Sequence, residues 1–105
     1  MKDVRFEWDR KKDLANFRNH GVEFEEAKTV FYDERAIEFY DEDHSSKEGR
    51  YLMIGLSLKV RILLVSYTFR ERSDEDLIRI ISSRKAKKAN KRSILRDQYE
   101  KRIRS

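Results

Sequence analysis

The sequence predicts an α+β domain: two N-terminal helices packed on one face of a mainly antiparallel sheet, with a basic helix at the C-terminus. Three observations carry this. Apolar residues recur at spacings of three and four between residues 10 and 31, whereas two-residue alternation marks 4–8 and several segments after 36. The later segments follow one another through short polar connections, as in a meander. The chain has 105 residues, 38% of them apolar, which suffices for one modest core and one domain, 1–105.

The elements follow in order. Val4, Phe6 and Trp8 share one face of a short strand, with Trp8 read as core. Asp9 stands at the N-cap of a helix from Arg10 to His20, whose Leu14, Ala15 and Phe17 form a stripe. Gly21 is placed to end that helix in the left-handed region. Phe24, Ala27, Val30 and Phe31 mark a second helix, with Glu25 and Glu26 favourable near its N-terminus. Ala36 to Tyr40 is a strand, Asp41 to Gly49 a polar loop, and Arg50 to Leu56 the next strand. A turn at Ser57 to Val60 lacks the usual Asn-Gly signal. Arg61 to Phe69, the most apolar stretch, reads as a central strand. Arg70 to Asp76 reads as a charged loop and Leu77 to Ser83 as the last strand. From Arg84 the pattern is helical, with Leu95, Tyr99 and Ile103 four apart, so 84–105 is expected to be the basic C-terminal helix.

Composition narrows the function. Proline is absent and glycine occurs three times, so no linker or low-complexity segment is expected. With no cysteine and two histidines, a disulfide framework and a structural zinc site are excluded, and neither metal nor cofactor is expected. No apolar run is long enough for a signal peptide or a membrane span, so the default is a cytoplasmic protein without membrane association. Residues 1–83 hold 15 Lys and Arg against 18 Asp and Glu, whereas residues 84–105 hold 10 against 2. Such a basic tail suits a polyanion, RNA or DNA. It equally suits a solubilising helix, or an acidic protein partner.

Several side chains fit phosphodiester chemistry. Metal-free RNA cleavage needs a base for the 2′-hydroxyl, an acid for the leaving 5′-oxygen, and cations for the charge that builds on phosphorus. His44, an imidazole, is of the type suited to acid or base work, or else bonds its own turn with Ser45 capping. Glu48 and Arg50, two apart at a strand start, make a carboxylate base beside a guanidinium, or plain surface charge. Arg79 interrupts an apolar strand and must meet water, a carboxylate such as Glu7, or a phosphate. Arg84 and Lys85 stand at the expected strand–helix junction, where helix amides would add donors. Lys12, Lys87 and Lys88 are candidate RNA contacts, the two lysines of the tail as a general electrostatic attractor. Tyr51 and Tyr67 either stack bases or fill the core. His20 reads as structural, favoured at a helix end.

Beyond single residues, the chain resembles the BrnT-type toxins. The likeness lies in Phe6–Asp9, Lys12, Asn16, His20–Val22, Phe24, Ala27, Val30, Phe31 and Asp33, then Asp43–Ser45, Glu48, Arg50, Tyr51, Ile54, Gly55, Tyr67, Thr68, Ile78–Ser82 and Arg84–Ala86. It departs from that pattern at Glu34, where a proline is usual, and at Ser83, where an alanine is usual. It also carries extra residues between Ala86 and Tyr99. The resemblance implies a RelE-like fold and an endoribonuclease that shuts down translation; His44, Glu48, Arg50, Arg79 and Arg84 are the residues whose types and positions make them candidates for its centre. It implies neutralisation by a BrnA-type antitoxin, a ribbon-helix-helix protein, in a heterotetramer. Operator DNA would be met only through that antitoxin.

Overall fold

The computed structural model describes residues 3–45, 48–88, 90–92 and 96. Strand β1 (Asp3–Glu7) leads into helix α1 (Arg10–His20). Asp9 caps α1, its carboxylate accepting the backbone N–H groups of Lys11 at 2.8 Å and Lys12 at 3.2 Å. Those bonds, Lys12 foremost, hold the Asp9 carboxyl below its ordinary value. Gly21 closes α1 at φ 69°, a conformation that costs a side chain but not glycine. Helix α2 (Phe24–Thr29) begins at Glu23, which supplies no side-chain cap. Asp13 of α1 caps it instead, accepting the Phe24 N–H at 2.9 Å, so the helical hairpin is tied at its base. A 3-10 turn, Val30–Tyr32, carries the chain to β2 (Ile37–Tyr40), β3 (Arg50–Leu56), β4 (Ile62–Glu71) and β5 (Glu75–Lys85).

The five strands form one sheet in the order β1-β5-β4-β3-β2. β1 runs parallel to β5 and the other three pairings are antiparallel. The helices cover one face. Beneath them Val22, Phe24, Ala27 and Val30 pack on Leu63, Val65, Tyr67, Ile78 and Ile80 as one core. The Val30–Tyr32 turn passes so near β3 that a Cβ on Gly55 would lie 2.8 Å from Ala36 Cβ and 3.0 Å from Val30 Cγ1, so only glycine fits there. No described helix is long and apolar enough to cross a membrane.

Three expectations need correction. The last hairpin is longer than the charge pattern suggests: β4 runs to Glu71 and β5 from Glu75, leaving only 72–74 between them. Arg84 and Lys85 belong to β5, because Leu63 and Leu64 of β4 pair with them, and the Ala86 N–H still reaches Ile62 O at 2.9 Å. Among the described residues beyond β5, helical conformation is found at Lys88, 90–92 and Arg96; Leu95, Tyr99 and Ile103 of the expected C-terminal helix lie outside the described residues. Finally, the stripe on α1 does not seat it. Leu14 and Phe17 are exposed, and the buried residue of α1 is Asn16.

Asn16 holds α1 by substituting for a strand. β1 stops at Glu7, opposite Arg79, so among the described residues β5 beyond Arg79 has no strand on that side. There the Asn16 amide donates to Ser83 O at 2.8 Å and Val22 O at 2.9 Å, and its oxygen accepts the Ser83 N–H at 3.0 Å. Asn16→Ala leaves these buried groups unpaired and is expected to cost about 2–3 kcal/mol, read as a lower urea midpoint. Asn16→Asp keeps the acceptor but loses both donations, and is expected to fall near alanine. The Ser83 hydroxyl itself is buried with no hydrogen-bond partner among the described residues. Ser83→Ala is therefore expected to raise stability by about 1 kcal/mol.

Candidate active site

The face of the sheet turned away from α1 and α2 carries the candidate chemistry. On a strand successive side chains alternate between faces. Met53 and Gly55 on β3 lie toward the helices, so Arg50, Leu52 and Ile54 lie opposite. On β4 the opposite set is Leu64, Ser66, Thr68 and Arg70. On β5 strict alternation would separate Arg79 from Arg84. A β-bulge prevents this: Ser66 pairs with Ser82 but Tyr67 with Ile80, leaving Ile81 as an extra residue. The bulge shifts the parity, and Arg79, Ser82 and Arg84 share the open face.

A cavity of about 360 Å³ opens there, lined by His20, Asp41, His44, Arg50, Leu52, Leu64, Ser66, Ser82, Ser83 and Arg84. Its two histidines and two arginines arrive from four different elements. Arg50 and Arg84 come from the floor, on β3 and β5. His44 comes from the loop between β2 and β3, which Ser45 fastens: its hydroxyl donates to Asp41 O at 2.7 Å and accepts the Arg50 N–H at 2.9 Å. The Asp41 N–H in turn reaches Arg50 O at 2.8 Å. Within this clamp His44 Nδ1 lies 2.9 Å from the Asp41 carboxylate. A carboxylate only accepts, so Nδ1 carries hydrogen and Nε2 is the nitrogen available for proton transfer. His20 comes round the open edge of β5, from the last turn of α1. Sequence reasoning read His20 as a helix-end residue; its place in the cavity depends on β1 pairing with β5 only as far as Arg79, a register that no local pattern announces.

The residues expected to form one centre therefore divide. His44, Arg50 and Arg84 line this cavity. Glu48 and Arg79 line a neighbouring depression of about 210 Å³ with Glu7, Thr68, Arg70, Arg72 and Leu77. Arg79 meets Glu7 at 3.3 Å, the carboxylate considered from sequence, and Arg70 meets Glu48 at 3.2 Å. The two hollows adjoin where Arg50 pairs with Thr68 and Thr68 with Arg79.

The other candidates are not brought to the cavity. Tyr67 is in the core and its hydroxyl bonds Glu38. Burial, together with Glu38, pushes its phenol far above the ordinary value. Tyr51 stacks on Tyr67 and meets Tyr40 edge-on. Lys12 is exposed on the first turn of α1, Lys85 is exposed on the helix-side face of β5, and Lys87 and Lys88 are exposed beyond it. Trp8 packs on Phe24, at the core as expected.

Residues 8–90 match the family model described as the ribonuclease toxin, BrnT, of type II toxin–antitoxin systems. Among solved structures, the chain is similar to the crystal structure of the Brucella abortus ribonuclease toxin BrnT. The two share 24% identity at a TM-score of 0.53, over 84% of this chain and 99% of that one. At that identity the likeness establishes the fold. None of the curated proteins matches the chain.

Proposed function

The chain belongs to the BrnT family of type II toxin–antitoxin toxins, and from that premise we propose that it is a metal-independent endoribonuclease whose active centre is the cavity holding His20, His44, Arg50 and Arg84. The observation that carries this is the meeting of two imidazoles and two guanidiniums, from four separate elements, in one hollow. His44, fixed through Nδ1 by Asp41, presents Nε2 as the base that takes the 2′-hydroxyl proton. The 2′-oxygen attacks phosphorus, and Arg50 and Arg84 stabilise the equatorial oxygens as charge builds there. The 5′-oxygen leaves with a proton from His20. The products are a 2′,3′-cyclic phosphate and a 5′-hydroxyl, and the proton gained by His44 is returned to the pair through solvent.

The basic residues Lys87, Lys88, Lys91, Arg92 and Arg96 beyond β5 draw RNA toward this face in a salt-dependent way. The partner is an antitoxin of the BrnA type, a ribbon-helix-helix protein assembling with the toxin as a heterotetramer and carrying the contact with operator DNA. The reading is tested by incubating purified protein with RNA in EDTA and by inducing it in a bacterial host. Cleavage leaving cyclic phosphate ends is expected, with growth arrest that Arg84→Ala abolishes while the fold is retained. Unimpaired growth and intact RNA would overturn it; salt-dependent RNA retention without cleavage would make the protein a binding module.

A further inference from the structure

The geometry points to the depression beside the active cavity as a second phosphate-binding subsite, which engages the backbone of single-stranded RNA next to the scissile bond. The inference rests on the ribonuclease reading and adds to it a substrate requirement, length. Three guanidiniums, of Arg70, Arg72 and Arg79, line this hollow with the carboxylates of Glu7 and Glu48. It contains no histidine, so it lacks a group suited to proton transfer near neutrality. It has a surplus of fixed positive charge instead.

The ion pairs here are not closed. Arg70 meets Glu48 through one nitrogen, Nη2, and Arg79 meets Glu7 through Nη1, at 3.2 Å and 3.3 Å. Neither is the two-bond fork that satisfies a guanidinium against a carboxylate. All four side chains are between about two-fifths and three-fifths exposed. Pairs so exposed are weak and open at little cost. An entering phosphate diester presents the acceptors that the remaining donors lack.

Placement makes the two hollows one track. Arg50, Thr68, Arg79 and Glu7 pair in a single row across β3, β4, β5 and β1. Arg50 belongs to the active cavity and Arg79 to the second hollow, two strands apart, or roughly 10 Å at the usual strand spacing. A strand of RNA lying across the sheet passes from one guanidinium to the other, with the Thr68 hydroxyl between them. The Ile81 bulge is what lets β5 serve both hollows, Arg84 in the first and Arg79 in the second.

The test measures binding of all-deoxy oligonucleotides, which lack the 2′-hydroxyl and remain intact, at two lengths: a dinucleotide and a hexanucleotide. For the native chain, affinity is expected to rise with length. In Arg70→Gln and in Arg72→Gln, the second lying outside any strand, hexanucleotide affinity is expected to fall about tenfold, one charge-assisted contact. The salt slope is expected to fall by about one. Glu48→Gln, which releases Arg70, is expected to tighten hexanucleotide binding. A length gain that persists undiminished in both arginine variants overturns the subsite, even where cleavage is found. A native chain that binds both lengths equally, or neither, overturns it too. RNA left uncleaved while the length gain and its loss are observed overturns the ribonuclease reading and leaves the subsite standing.

Discussion

Replacing Arg61 with alanine is expected to destabilise the protein by about 3–5 kcal/mol, the cost of stranding a buried charge. The Glu26 carboxylate lies on α2 under the turn between β3 and β4, with its side chain 2% exposed. Arg61 answers it with both Nε and Nη2, and the Ser57 hydroxyl donates to it at 2.7 Å. Arg61 Nη2 also reaches Gly21 O at 3.1 Å, so one guanidinium joins the turn, α2 and the end of α1 beside His20. A double variant, Glu26→Leu with Arg61→Met, removes both charges and is expected to recover most of the loss. Urea unfolding of the single and double variants measures this; a single-variant loss under about 1 kcal/mol would mean that water replaces the arginine.

Acid separates the two cases further. The Arg61 hydrogen bond is the largest influence holding the Glu26 carboxyl below its ordinary value of 4.5. A carboxyl depressed on folding adds stability that is present above its unfolded value and lost as pH falls below it. The native chain is therefore expected to weaken as pH drops from about 5 to 3. In Arg61→Ala burial, which raises the carboxyl, is opposed only by the Ser57 hydrogen bond and the charge of Lys59, and protonation relieves the burial. That variant is expected to lose less stability over the same range, or to gain.

The second large effect concerns cleavage. His44→Ala and His20→Ala are each expected to lower kcat/KM by about 10²–10⁴, the usual worth of one general acid or base. The two are told apart by a substrate with sulfur in place of the leaving 5′-oxygen. A thiolate departs without a proton, so this substrate is expected to restore cleavage in His20→Ala but not in His44→Ala. Rescue of His44→Ala instead would exchange the two roles. Asp41→Asn, which keeps the size of the side chain but no longer fixes Nδ1–H, is expected to lower kcat more than it alters KM.

Where both ends of an element carry their own chemistry, the sequence was enough. Asp9 and Gly21 bracket α1 to the residue, because a cap and a left-handed stop act locally. β3 was equally legible, set between the polar loop that ends at Gly49 and the turn that begins at Ser57. What was hidden depends on partners distant in the chain. Arg84 and Lys85 look like the solvated start of a helix, yet β4 offers them a ladder and they extend. Leu14 and Phe17 look like a seating stripe, yet an asparagine seats the helix; nothing in the structure explains why both are exposed. The turn after β3 lacked a signal because Val60, a branched residue, holds the left-handed conformation at φ 61°.

The site was half legible for the same reason. His44, Arg50 and Arg84 are betrayed by residue type at strand ends, but their separation from Glu48 and Arg79 is not. That separation turns on a single inserted residue, Ile81, whose apolar side chain looks like any other in its strand. The ion pair of Glu26 with Arg61 joins residues 35 apart, and neither stands out in a chain with 43% charged residues.

The sheet is closed by its own extremities: residues 3–7 lie beside 75–79, and Asn16 grips Ser83. On a ribosome, the first strand therefore waits without its neighbour until β5 has left the exit tunnel. His20 has no edge to reach around before then, and Arg84 is among the last residues of the sheet to appear. Contacts so distant in sequence form slowly. A nascent chain interrupted before about residue 85 thus lacks both the His20 wall and the Arg84 side of the floor of the proposed active cavity. If that cavity cleaves RNA as proposed, an unfinished copy is expected to be harmless to the cell that makes it.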